Sequence, residues 1–189
     1  MRLIIHRGAH QVGGSCVELN CGDSTILIDV GLPLEYNFGD DLKDNLPQPL
    51  FRELEEGRKR VDGVLLSHAH LDHYGLAGML PREIPVYCGE ASADLIDISN
   101  KVGPGTAYLF KPRHFKAGKT FQIGAFSITP YLMDHSAFDA YAFLVSAGDR
   151  SLFYTGDFRG HGRKDKLFKH EVENLPHTDV LLMEGTTIG

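Results

Sequence analysis

The stretch Ser67-His68-Ala69-His70-Leu71-Asp72-His73 constrains this chain more than any other part of it. Four strong metal-binding side chains fall within six residues, directly after the apolar run Val61–Leu66. A buried strand over Val64, Leu65 and Leu66 would send His68 and His70 off its end on one side, because strand side chains alternate with period two. Asp72-His73, followed by Tyr74 through Leu80, reads as the start of a helix. Two neighbouring residues there can face a second metal beside the one held by the two histidines. Neutral imidazoles with a carboxylate suit zinc, whereas calcium or magnesium would take nearly all oxygen ligands. A histidine-rich surface loop is the bland alternative in a chain with ten histidines. Four ligand-type residues straight after a core strand outweigh it.

A chain of 189 residues can bury one substantial core and is too short for two ordinary domains. Its 42% hydrophobic and 23% charged content is that of a soluble globular protein. No apolar run is long enough to span a bilayer, and the N-terminus lacks a signal-peptide pattern. Cys16, Cys21 and Cys88 are odd in number and share no tight metal-binding spacing. They read as idle thiols in a reducing cytoplasm, the expected location. A formal net charge of −6 excludes nucleic-acid binding by bulk electrostatics. Basic clusters at Lys111–Lys119 and Arg159–Lys169 could meet phosphates, though solvated basic loops are the commoner case.

Leu3–His6, Val17–Asn20 and Ser24–Asp29 read as strands, the last two joined through Asn20-Cys21-Gly22-Asp23 as a hairpin. Tyr36 to Gln48 reads as an irregular excursion, and Pro49–Arg58 has helical spacing. Pro81 ends the helix after His73, Pro85–Cys88 is a short strand, and Ala91–Val102 is helical up to Gly103-Pro104-Gly105. Phe121–Ile123, Phe126–Leu132, Ala140–Ser146, Ser151–Thr155 and Val180–Met183 follow as strands, with Gly148-Asp149 a tight hairpin turn. Strands, then helices between strands, then more strands imply an α/β (α+β) protein of layered sheets with helices outside.

Two further strands end in metal-type side chains, at Asp134-His135-Ser136 and at Thr155-Gly156-Asp157-Phe158. Alone, His135 is as often a structural histidine, and Asp157 more often a turn residue. Joined to the Ser67–His73 stretch, they resemble the metallo-β-lactamase superfamily, whose His-x-His-x-Asp-His hallmark is His68-Ala69-His70-Leu71-Asp72-His73. Leu27-Ile28-Asp29-Val30-Gly31 is similar to the family's early strand ending in Asp. The resemblance implies an αββα sandwich with the site along the edge between its sheets. It implies that His68, His70 and His135 hold one zinc, Asp72 and His73 the other, and Asp157 bridges them. Manganese is the alternative metal. Asp29 would hydrogen-bond a ligand histidine, with a strand-end turn residue as the competing reading.

Within that superfamily, Asp134 to Tyr141 and Tyr154-Thr155-Gly156-Asp157-Phe158-Arg159 resemble the β-CASP nucleases, a group that includes RNase J and the mRNA 3′-end cleavage endonucleases. Glu184-Gly185-Thr186-Thr187 resembles the acidic motif after which those enzymes insert the β-CASP domain. Asp72 and Glu184 are then the implied catalytic carboxylates, Glu184 orienting a histidine general acid from the later domain. Ser136 would touch a phosphate. The departure from the family pattern is that residues 1–189 match only the N-terminal portion of the metallo-β-lactamase domain. The β-CASP domain, its general acid, the last zinc-ligand histidine and the returning strands are missing, so the expectation is an N-terminal piece, with a small protein whose open half a partner chain or second copy covers as the alternative. The expected function is a zinc-dependent phosphodiesterase or ribonuclease using a metal-bound hydroxide, with RNA or another phosphodiester as substrate and no membrane contact. The competing readings are a small-molecule metallohydrolase (lactonase, thioesterase or glyoxalase-like) on the same fold, and a non-enzymatic scaffold.

Overall fold

Residues 1–102 and 111–186 are described by a computed structural model. Eleven strands among them form two sheets. The first takes β1 (Arg2–Arg7), β2 (Cys16–Cys21), β3 (Ser24–Val30), β4 (Gly63–Leu65), β5 (Val86–Cys88) and β6 (Arg113–His114), side by side in that order. β1 to β3 are antiparallel, and β3 to β6 run parallel. The second sheet runs, from one edge to the other, β11 (Val180–Leu182), β10 (Arg150–Tyr154), β9 (Tyr141–Ala147), β8 (Phe126–Leu132) and β7 (Phe121–Ile123). Only the β10–β11 pair in it is parallel.

Side-chain alternation stacks the layers. From β3, Ile26 and Ile28 point between the sheets and pack with Phe126, Ile128, Phe143 and Val145 of the second sheet. Leu27 and Val30 point the other way, against Leu50 and Phe51 of α1 (Leu50–Glu55), Tyr74 of α2 (Leu71–Tyr74) and Ile96 of α3 (Glu90–Val102). On the far face of the second sheet, Ala142 and Phe153 meet Phe168 of α4 (Asp165–Glu173). Strands covered on both faces need apolar residues at every position, which is why β4 reads as a continuous apolar run. The expected αββα layering is observed. No helix among the described residues is long and apolar enough to cross a membrane.

Four local expectations need correction. The helix after His73 is one turn, Leu71–Tyr74, followed by a 3₁₀ turn at Ala77–Met79. Gly75 and Gly78 each disfavour helix by about 1 kcal/mol, and Leu76 instead donates its N–H to the carbonyl of Val30 at 2.9 Å. Helix α1 is shorter than Pro49–Arg58, and a 3₁₀ turn at Leu42–Asn45 interrupts the irregular excursion. The Arg159–Lys169 cluster is not all loop, because α4 begins at Asp165 and sets Phe168 against the second sheet. Gly103-Pro104-Gly105 and Thr187 lie outside the described residues.

One buried charge supports the β1–β2 edge. Glu18 is 1% exposed and is held by His6 Nε2 at 2.7 Å, Asn20 Nδ2 at 2.8 Å and Lys59 Nζ at 2.6 Å. Burial opposes its ionisation, but the hydrogen bonds from His6, Lys59 and Asn20 outweigh that and hold the carboxyl at about 2. Its folded value is depressed below the ordinary 4.5. The resulting stability is therefore full above pH 4.5 and lost as the pH falls through about 2. Glu18→Gln should cost about 1–3 kcal/mol at pH 7 and progressively less in acid. Denaturant titrations of both proteins at several pH values measure this, and a gap that does not change with pH would count against it.

Candidate metal centre

The site begins with a bulge. Between Cys16 and Val17 the β2–β3 register slips by one, so Asp29 has no partner and adopts φ 57°. A bulge re-aims the side chain it carries, and aspartate tolerates this left-handed conformation better than most residues. The Asp29 carboxylate is fully buried and accepts four hydrogen bonds. They come from Ser67 N at 2.8 Å, Ser67 Oγ at 2.8 Å, His73 Nδ1 at 2.8 Å and Tyr154 Oη at 2.7 Å. A buried carboxylate is tolerable only when satisfied in this way. Two residues later, Gly31 lies against the backbone of α2, where any Cβ would overlap the Asp72 carbonyl. Ser15 donates its N–H to that carbonyl at 3.0 Å, and Leu32 donates to Leu71 O at 2.9 Å.

With α2 docked in this way, Asp72 and His73 meet the strand-end histidines. His68 Nε2 lies 3.0 Å from His70 Nδ1, and His135 Nε2 lies 3.2 Å from the same atom. Asp157 Oδ2 is 3.9 Å from His68 Nε2 and 3.8 Å from His135 Nε2. On its other side Asp157 Oδ1 is 3.2 Å from His73 Nε2, which is itself 3.7 Å from Asp72 Oδ2. Two donor sets result, His68–His70–His135–Asp157 and Asp72–His73–Asp157, each with its ligand atoms within 4.8 Å of one another. A tetrahedron with metal–nitrogen bonds of about 2.0–2.1 Å has edges of about 3.3 Å, so the first set is dimensioned for such an ion. Three imidazoles and a carboxylate favour a transition metal over calcium or magnesium.

The histidines are not electrostatically alike. Burial lowers the pKa of His68 well below its ordinary value, and its histidine neighbours add to that. Burial lowers His70 too, against the pull of Asp72, and brings His135 to about 4. For His73 burial also opposes the charge, yet the carboxylates of Asp29 and Asp157 more than offset it and raise the pKa to about 10. Asp157 sits below the ordinary carboxylate range despite its burial, because His73 bonds to it and His135 and His70 lie near. The thiols of Cys16 and Cys88 are pushed up to about 12 by burial and are not nucleophiles at neutral pH.

The six ligand candidates thus come together, and Asp29 hydrogen-bonds His73. Ser136 is exposed beside the His135 ring, its Oγ 3.4 Å from Nε2. Glu184 stands behind Asp157, its Oε1 accepting the Phe158 N–H at 2.7 Å. It also shares with Asp72, His73 and Asp157 the lining of an open groove of about 690 Å³. Ser67, Tyr154, Asp134 and Asp139 are contributors that sequence reading missed. Asp134 is fully buried and accepts hydrogen bonds from Gly162 N at 2.6 Å and Lys164 N at 3.2 Å, fixing the segment after Asp157 to the one bearing His135. Asp139 accepts from Ser92 N at 3.0 Å, tying the same loop to α3. Ser67 and Asp134 flank candidate ligand histidines, which is a local signal; Tyr154 and Asp139 have no such neighbour.

A family model described as the beta-lactamase superfamily domain matches residues 25–189. The chain belongs to the beta-lactamase superfamily. Among curated relatives, a transcription termination factor FttA from Methanosarcina mazei is 28% identical over 200 residues, covering 95% of this chain and 30% of that protein. Ribonuclease TTHA0252 from Thermus thermophilus is 32% identical over 202 residues, 98% of this chain and 44% of its own. Ribonuclease J from Helicobacter pylori is 27% identical over 173 residues, 89% of this chain and 24% of its own. The chain therefore spans less than half the length of these superfamily relatives. A crystal structure of a protein of unknown function from Enterococcus faecalis superposes with a TM-score of 0.82 at 25% identity, over 98% of this chain and 50% of that one. The metallo-beta-lactamase fold protein YhfI from Bacillus subtilis gives a TM-score of 0.62 at 21% identity, over 95% and 69%, a likeness of fold.

Metal loading at this superfamily site should displace a proton. At pH 7.5 His68, His70 and His135 are neutral, whereas His73, with its pKa near 10, is charged and must lose its proton to ligate. Zinc titration calorimetry in buffers of different ionisation enthalpy should report about one proton from His73 in addition to any released by metal-bound water. His73→Gln should abolish that proton. Release that is unchanged in the variant would assign the proton elsewhere.

Proposed function

We propose that this chain carries the metal-binding part of a hydrolase that cleaves phosphodiesters, with RNA as the substrate. The carrying observation is the convergence of His68, His70, His135 and Asp157, with Asp72 and His73 on the far side of the same carboxylate. In this reading His68, His70 and His135 hold one divalent cation, Asp72 and His73 a second, and Asp157 lies between. The donor set favours zinc, with manganese as the alternative. Two such cations supply a water whose pKa is lowered from about 15.7 toward about 7, together with positive charge for a phosphoryl oxygen. The names of two relatives, both ribonucleases, support RNA over a small-molecule substrate.

The chain's own residues would orient and poise the site. Asp29 engages Nδ1 of His73, which turns Nε2 toward Asp157. Ser67 Oγ lies 3.0 Å from Nδ1 of His68 and so fixes the ring that presents Nε2 to the cluster. Glu184 steadies the turn after Asp157 through Phe158, and its second oxygen is assigned to a proton donor for the departing sugar oxygen, expected from outside residues 1–189. Ser136, exposed next to His135, is assigned a hydrogen bond to a phosphate oxygen.

With zinc or manganese, the full-length protein should hydrolyse single-stranded RNA and bis(4-nitrophenyl) phosphate. Chelation should abolish both activities. His135→Ala should lower the rate by about a hundredfold or more and reduce bound metal in parallel. Turnover of a lactone or thioester, with neither phosphodiester touched, would replace this reading with the small-molecule one.

A further inference from the structure

Beside the ligand cluster, two loops are fastened into one rim. The loop of residues 134–139 carries His135, and the loop of residues 158–164 follows Asp157. Asp134 joins them through the N–H groups of Gly162 and Lys164, and its own carbonyl accepts the Arg159 N–H at 2.7 Å. Glycine at 162 suits this close approach, since a Cβ would press on Arg159 Nε and Asp134 Oδ1 and force those side chains to shift. From the second loop, Lys164 Nζ donates to the carbonyl of Phe138 at 2.7 Å. Asp139, the next residue, accepts from Ser92 N at 3.0 Å, and its carbonyl accepts from Ser92 Oγ at 2.8 Å.

The backbone on both sides of Phe138 is therefore tied down, yet its ring is 74% exposed, more than any other phenylalanine among the described residues. Every other residue of the loop from Asp134 to Ala140 that is apolar is buried, so the outward ring is not explained by packing. Next to it the segment Arg159–Lys169 holds five cationic side chains against one carboxylate, Asp165. That local surplus of four stands out in a chain of net charge −6. Arg159 is taken up by Asp134 at 3.6 Å and Lys169 by Asp165 at 3.5 Å. Arg163 and Lys166 are exposed and have no carboxylate partner among the described residues.

We propose that this rim binds single-stranded nucleic acid, one base stacking on Phe138 while Arg163 and Lys166 contact the flanking phosphates. An exposed aromatic on a loop bonded to a cationic segment can recognise unpaired bases, and a duplex would keep its base faces hidden. Phe138 lies three residues from His135, a reach of at most about 10 Å along the chain. A strand held here is therefore within reach of the ligand cluster. The inference rests on the phosphodiesterase reading and deepens it, by assigning selection of unpaired strands to this rim.

The test uses the metal-loaded full-length protein and two fluorescent phosphorothioate-linked probes, an oligoadenylate and an abasic strand of equal length and charge. Phe138→Ala should weaken oligoadenylate binding about tenfold and leave the abasic strand within twofold. Phe138→Trp should bind the oligoadenylate at least as well as the native protein. Arg163→Ala should weaken both probes alike and reduce the slope of log affinity against log salt by about 0.7. The proposal is overturned if Phe138→Ala changes oligoadenylate binding less than twofold, or if it weakens both probes equally. Circular dichroism melts establish that each variant is folded. Absence of hydrolysis with the tenfold effect intact would sink the phosphodiesterase reading alone, and hydrolysis without the effect would sink only the rim.

Discussion

A single buried carboxylate holds the site in shape. Asp29 sits at the bulge where β3 ends, and its four hydrogen bonds reach Ser67 at the end of β4, His73 on α2 and Tyr154 at the end of β10. Those partners belong to both sheets and to the helix that docks on Gly31. A buried acceptor left without donors would cost about 1–3 kcal/mol per missing bond, so the folded chain has little freedom to let any of these elements drift. The hydrogen bond from Tyr154 Oη also fixes the strand that delivers Asp157 three residues later. The same group that stabilises the sheet junction therefore sets the spacing of the donor cluster.

Around that point the two halves of the fold contribute different things. The first sheet supplies His68 and His70 directly from a strand end, and Asp72 and His73 from a one-turn helix. The second supplies His135 and Asp157 from loops, which need bracing that strand ends do not. Asp134 and Asp139 provide it, one tying the His135 loop to the segment after Asp157 and the other tying it to α3. Both bury polar atoms at loops whose local sequence could adopt many shapes. Hydrogen bonds of this kind add modestly to stability and strongly to geometric definition.

Much of this was legible in the chain, and the boundary of legibility is physical. The candidate ligands His68, His70, Asp72 and His73 are close in sequence, so period-two and helix-start geometry alone bring them together. His135 and Asp157 each follow a well-marked apolar strand, but only the resemblance to the family pattern, not their own surroundings, implied a ligand role for them. Of the partners of Asp29 a histidine was expected, but Tyr154 was not, since it lies 125 residues away and nothing local marks its phenol as a donor. The bulge at Asp29 was hidden because an aspartate at a strand end has an ordinary explanation as a turn residue. Helix α4 was missed because its cations mask the apolar face formed with Phe168, and the helix after His73 was overextended because the sheet, not the helix, takes the Leu76 N–H.

The asymmetry among the histidines gives the two donor sets different starting points. His68, His70 and His135 are driven neutral by burial and by one another, so their lone pairs are available at neutral pH without any prior loss of a proton. His73 is held charged between Asp29 and Asp157, and its ion pair must open before Nε2 can ligate. Each pKa unit of that preference corresponds to about 1.4 kcal/mol, a cost that falls on the second set alone. In the two-cation reading proposed above, a first cation at the three-histidine set would draw on Asp157 and weaken its hold on His73.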